Sequence, residues 1–239
     1  MREARREATQ GRIVSAAMGV ITREGFDALT VGRLASELAI SPSALYRYVA
    51  SKDEVMARVL AEVVAELTED LRAGAALVAS SRVSPADLAL SRLVALFDVY
   101  VTLDRRRPEH LALIAMFAAD PRVLVGDDAA ARVAASRSEA TARVREGFDD
   151  AVAQGALTPG PWAERASTLW LAVHGVMAPR KLTRLGPLSV DRAAAARSVV
   201  LAMLASWGAP ADRLALAARR AHKAVEGSPL VLPSHPSKE

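Results

Sequence analysis

Residues 30–52 of this 239-residue chain, TVGRLASELAISPSALYRYVASK, constrain the fold more than any other stretch. Val31, Leu34, Ala35 and Leu38 recur at the spacing of one α-helical face, and Thr30 stands where an N-cap is wanted. Ala39 and Ile40 make a turn. Ser41-Pro42 then supplies a cap and a proline suited to the first helical position, so a second helix opens there and runs to about Tyr48. A helix this short is not stable alone. Held against its neighbour by a fixed turn, it offers an outer face to a DNA major groove, as a helix-turn-helix does. That face carries Ser43, Ala44, Tyr46, Arg47 and Tyr48: small groups, hydroxyls and a cation, suited to base edges and phosphates. Ser51-Lys52-Asp53-Glu54 follows as an S-x-x-E capping box that opens a long helix.

With Gly25-Phe26 and Thr30-Val31 before it, then Leu34-Ala35, Ser41 through Tyr48 and Ser51 through Glu54, this combination resembles the DNA-binding domain of the TetR (tetracycline-repressor) family of bacterial regulators. The resemblance covers roughly residues 8 to 60. It implies that Tyr46 and Lys52 contact DNA phosphates, and that Thr30, Arg33, Ser41, Pro42, Ser43, Ala44, Arg47 and Tyr48 belong to the same DNA-facing set. Three departures stand out. Ala39 occupies a place where glycine is usual, so a left-handed turn there is mildly strained. Arg33 replaces a frequent acid. Val49 and Val55 stand where larger side chains are common.

The rest of the chain is expected to be helical. Hydrophobic residues make up 51% and aromatics only 4%, which suits helices packed through small side chains. Cysteine is absent, which removes disulfides and thiolate-held zinc and fits a reducing bacterial cytoplasm. The charged N-terminus lacks the apolar segment of a signal peptide, and the longest uncharged runs, 166–179 and 198–211, are too short to span a bilayer, so no membrane partner is expected. The net charge of +4 sits at the two ends: residues 1–53 carry eight basic and six acidic side chains, and residues 210–239 five and three. That fits an N-terminal DNA reader on a neutral body.

Periodicity sets out an all-α chain: a first helix from about Arg5 to Glu24 stopped by Gly25, the two helices above, and a fourth from Ser51 to about Arg72. A capping box at Ser84 opens the fifth, which Arg105-Arg106-Arg107-Pro108 ends, the arginines being expected in solvent. Further helices follow over about 109–118, 128–155, 162–184, 189–207 and 211–225. The eighth carries two apolar sides, one with Leu169, Trp170, Val173 and Met177 and a second with Leu171, Gly175 and Ala178, so it is buried on more than one side. The domains expected are a reader over 1–53, a connecting helix over 54–74, a helical effector-binding and dimerisation domain over 75–208, a basic amphipathic helix over 209–226 and a disordered tail over 227–239.

The resemblance implies that this second part binds a small effector and dimerises through its last core helices. Candidate effector residues are Phe97, Tyr100, Leu113, Met116, Phe117, Trp170 and His174, a mainly apolar set suited to an apolar or amphipathic molecule. Candidate dimer residues are Leu171, Gly175, Ala178, Val200, Met203, Leu204 and Trp207. No metal-ligand spacing, phosphate loop or nucleophile motif is present, so neither catalysis nor a cofactor is expected. Two functions remain: a dimeric repressor that leaves a pseudo-palindromic operator when a small effector binds, or a DNA-binding regulator or architectural protein controlled by a protein partner.

Overall fold

The computed structural model describes residues 2–78, 83–119, 127–177 and 191–228. These residues form α-helices and turns without a strand: α1 (Arg2–Glu24), a 3₁₀ turn (Phe26–Ala28), α2 (Val31–Glu37), α3 (Pro42–Leu45), α4 (Lys52–Leu77), α5 (Pro85–Arg106), α6 (Pro108–Ala119), α7 (Asp127–Ala153), α8 (Trp162–Met177), α9 (Arg192–Ser206) and α10 (Ala211–Glu226). Among the described residues no helix is long and apolar enough to cross a membrane. The chain divides into two compact units, residues 1–65 with 116–138, and residues 66–115 with 139–239.

In the first unit α1 buries Ile13, Ala17 and Val20, and α2 and α3 add Leu34, Ala35 and Leu45. Helix ends are set by the expected caps. The Thr30 side chain accepts from the Arg33 amide at 3.0 Å, and Ser41 from the Ala44 amide at 3.1 Å. Ser51 accepts from the Glu54 amide at 3.1 Å while Glu54 returns to the Ala50 amide, closing the box. Gly25, at φ 87°, ends α1 and feeds the 3₁₀ turn, an element the apolar pattern did not announce.

The α2–α3 turn is a Schellman motif. The Ala39 amide donates to the Ser36 carbonyl at 3.1 Å and the Ile40 amide to that of Ala35 at 3.0 Å, with Ala39 itself at φ 53°. Helix α3 is shorter than its pattern suggests. After Leu45 the amides of Arg47 and Tyr48 donate to carbonyls three residues back, a tightened final turn that sinks Val49 into the core.

The second unit is built around α5. From Ala89 to Leu103 every residue but Arg92 is buried. Helix α10 lies along α5 and buries Leu214, Ala217, Ala221 and Val225, while Arg213 pairs with Asp87 at 2.6 Å and Glu226 with Arg105 at 2.5 Å. Helix α9 packs on α5 and α8. Gly74 lets α4 approach closely, since a Cβ there would stand 2.3 Å from a Val99 methyl carbon.

Two expectations need correction. The arginines at the end of α5 are not a solvated run. The Arg106 side chain is 2% exposed and reaches Asp70 at 2.9 Å, and Arg107 pairs with Glu66 at 2.8 Å. Both acids lie on α4, so the last turn of α5 is folded onto its charge partners. Val200 and Leu204, expected at a dimer face, are 2% and 0% exposed and fill the chain's own core, because α9 turns that side inward. Ala178, the continuation of α8 towards Arg184 and the tail beyond Ser228 lie outside the described residues.

Candidate nucleic-acid interface

Helix α3 buries only Leu45 and turns its other residues outward. Ser41, Pro42, Ser43 and Arg47 are exposed, Ala44 and Tyr48 are half-buried, and Tyr46 is 54% exposed. The Ser41 and Ser43 hydroxyls lie 3.0 Å apart, so the start of the helix is a small hydroxyl cluster.

The cations near it fall into two groups. Arg33 grips Glu24 through Nε at 3.0 Å and Nη2 at 2.6 Å, and also bonds Glu37 at 2.8 Å, while Glu37 takes Arg23 at 2.6 Å. The hydrogen bond from Arg33 holds Glu24 below the usual carboxylate range, and the bond from Arg23, with that from Arg33, does the same for Glu37. These four side chains tie α1 to α2 with no net charge. Lys52 is different. Its Nζ sits 4.5 Å from the centroid of the Phe26 ring, which orients the ammonium without neutralising it. Neither Lys52 nor Arg47 has an ion-pair partner among the described residues. The structure therefore leaves two uncompensated cations and a free phenol beside a short, shallow helix.

In the second unit Tyr100 of α5 and His174 of α8, both buried, share a 2.5 Å hydrogen bond between the phenol and Nδ1. Burial pushes the Tyr100 phenol up, against a hydrogen bond with Trp170 that lowers it, and burial pushes the His174 imidazole down. Either the phenol or Nδ1 is the donor in this bond, according to the imidazole tautomer. Trp170 stacks on His174 with centroids 4.9 Å apart and meets Tyr100 edge-on at 6.5 Å. Phe97 and Leu113 are buried, Met116 is half-buried, and the Phe117 side chain lies outside the described residues.

Residues 13–59 match the sequence model of the bacterial regulatory proteins of the tetR family. The matched stretch is the helix-turn-helix, so this chain carries a DNA-binding region similar to that of the tetR-family regulators. No curated protein matches it in sequence. A TetR-family regulator of Mesorhizobium loti shares its fold at a TM-score of 0.59 and 17% identity, over 87% of this chain and 99% of that one. RolR, solved with resorcinol, gives 0.59 at 14% over 92% and 95%. FadR of Bacillus subtilis, solved with stearoyl-CoA, gives 0.61 at 12% over 82% and 97%. At these identities the likeness shows the fold, and only the fold, over most of the chain.

Of the residues named from sequence, the structure brings Ser41, Ser43, Tyr46, Arg47 and Lys52 to the outside of the reader, with Thr30 as the α2 cap. It gives Arg33 to the α1–α2 clamp. It joins Tyr100, Trp170 and His174 in one buried cluster. It leaves Leu171 at 59% exposure and Gly175 open, on the outer side of α8, while Met203 and Trp207 are half-buried. The sequence reading passed over Asp98, whose carboxylate takes Arg197 at 2.5 Å from inside α5. A lone acid inside the apolar run LVALFDVYVTL was its signal.

Proposed function

We propose that the protein is a dimeric cytoplasmic repressor that reads a pseudo-palindromic operator through α3 and is released by a small apolar or amphipathic effector. The observation that carries the reading is the division of the reader's cations: Arg23 and Arg33 are spent on the protein's own carboxylates, while Arg47 and Lys52 face outward unpaired beside Tyr46. Arg47 and Lys52 take phosphates, Tyr46 adds a hydroxyl contact, and Ser43 and Ala44 approach base edges. Thr30, Ser41 and Arg33 position the two helices. Arg33 passes from direct contact to orientation.

The dimer forms on the exposed side of α8, where Leu171 supplies apolar area and Gly175 allows a second helix close. The effector enters beside the buried Tyr100–His174 pair that joins α5 to α8. In RolR and FadR the ligands in the solved structures are an aromatic diol and a fatty acyl-CoA, which is the apolar-to-amphipathic range expected here. Release requires differential affinity for two states, about 5.5 kcal/mol to carry an equilibrium from 99:1 to 1:99. Operator DNA then weakens effector binding by the same factor.

A gel shift on the DNA flanking the coding region tests the reader. Lys52→Ala weakens binding to every sequence and lowers the salt slope by about one unit. Ala44→Glu abolishes binding by placing a carboxylate against the duplex. If both variants bind with unchanged affinity and slope, α3 is not the reading helix.

A further inference from the structure

We propose that the cleft between the end of α7 and the start of α8 is a binding site for a small aromatic carboxylate. Its walls are Phe148, Val152 and Ala153 from α7, Pro159 and Gly160 from the loop, and Trp162 from α8, and it encloses about 260 Å³. That is just under the roughly 300–1,000 Å³ of sites for drug-sized ligands, so it suits a single substituted ring. None of the candidate effector residues around Tyr100 lines it, and on α8 it lies about eight residues, roughly 12 Å, before Trp170.

Charge selects the ligand's sign. Two charged side chains line the cleft, Asp149 and Arg165. Asp149 is already answered by Arg145 at 3.2 Å. Arg165 is held by neutral groups: the Thr158 carbonyl at 2.7 Å, the Thr158 hydroxyl at 3.4 Å, the Pro159 carbonyl at 3.5 Å and the face of Trp207 at 5.3 Å. Among the described residues no carboxylate pairs with it, so its positive charge is uncompensated in an aromatic-walled space. The loop is fitted to that guanidinium, since a Cβ at Gly160 would stand 2.4 Å from its central carbon. The fork is therefore oriented before a ligand arrives, and carboxylate is the anion whose geometry it matches. Phe148 and Trp162 supply faces for a ring, and Arg145 lies over Trp162 at 5.4 Å.

The test titrates the full-length protein with benzoate, benzamide and acetate at constant ionic strength, following thermal unfolding and tryptophan fluorescence. Benzoate gives a saturable rise in unfolding temperature and a fluorescence change, and benzamide and acetate give neither. Arg165→Gln weakens benzoate roughly ten- to hundredfold, the loss of a hydrogen bond to a charged group. No saturable response to benzoate, or an equal response to benzamide, overturns the site, and this comparison stands whether or not Arg165→Gln folds. A Trp162→Ala variant that dissociates a dimer in sedimentation, with benzoate inert, would show that a second copy occupies the cleft and equally overturns it. The proposal does not depend on the operator or on the effector near Tyr100.

Discussion

In the reader, the side-chain caps that open α2, α3 and α4 are made within four residues: Thr30 to Arg33, Ser41 to Ala44, Ser51 to Glu54, Glu54 to Ala50. On α5 the polar side chains reach instead across 36, 74 and 99 positions, to Asp70, His174 and Arg197. The first arrangement leaves Arg47 and Lys52 available to an outside partner. The second uses up its charges inside the protein. Local caps specify a shape cheaply at the surface, where each is worth about 1 kcal/mol. Buried pairs hold distant helices together, and removing one partner leaves a desolvated charge behind.

The sharpest way to break this contrast is Asp70→Ala. It removes the carboxylate 2.9 Å from Arg106, whose side chain is 2% exposed and also bonds the Thr102 hydroxyl and the Val99 carbonyl. Loss of a partner from a buried pair costs about 3–5 kcal/mol, read as a lower midpoint in urea with the slope unchanged. A loss below about 1 kcal/mol would place this pair with ordinary surface pairs and erase the distinction.

The next largest effect is acid sensitivity at His110. Burial, with Arg107 and Arg106 nearby, pushes its imidazole down to about 4. The unfolded chain takes up this proton near pH 6.5 and the folded chain does not until about 4. Stability from this group is therefore complete above pH 6.5 and falls as pH drops through the window to 4, by at most on the order of 3 kcal/mol. His110→Gln removes that part of the slope. An unchanged slope between pH 6.5 and 4 would mean the acid response arises elsewhere.

How much could be read beforehand follows the same line. The order of the helices, the capping serines, the turn at Ala39 and the outward set on α3 were legible because each depends on neighbours a few residues away. The burial of Arg106 and Arg107 was not, since Arg105-Arg106-Arg107-Pro108 looks like any polar helix end until Glu66 and Asp70 are brought to it. Val200 and Leu204 are apolar whether they face a core or a partner, and periodicity cannot tell one from the other. The Lys52–Phe26 contact needed the 3₁₀ turn, whose three residues leave no periodic signal. Of the buried cluster, the sequence supplied Tyr100, Trp170 and His174 as candidates but not the hydrogen bond that joins them.

A smaller test stays within the reader. Ser41→Ala removes the cap of a four-residue helix and costs about 1 kcal/mol of stability. Because α3 has so little else holding its start, the operator affinity falls as well. Restored affinity in Ser41→Asn, an equally good but uncharged cap, separates loss of helix geometry from loss of a hydroxyl contact. If Ser41→Ala keeps both stability and affinity, packing of Leu45 alone defines α3.

The smallest expected effect lies at Ala39, the one non-glycine residue with positive φ among the described residues. The left-handed region costs an L-residue with a Cβ roughly 1–2 kcal/mol. Glycine escapes that cost but loses more chain entropy on folding, on the order of 0.5–1 kcal/mol. The difference leaves Ala39→Gly more stable by about 0.5–1 kcal/mol, a rise of a few degrees in melting temperature at most. The Schellman bonds from Ala39 to Ser36 and from Ile40 to Ala35 are made by backbone and survive the change. Operator affinity should then stay the same, because the turn angle is set by those bonds and not by the strain. Reduced affinity with raised stability would mean that the alanine holds α3 at an angle glycine lets go, and that the strain serves DNA reading. Lower stability would mean the left-handed residue is relieved by a contact of the Ala39 methyl, and the local account of the turn fails at the place where it is most explicit.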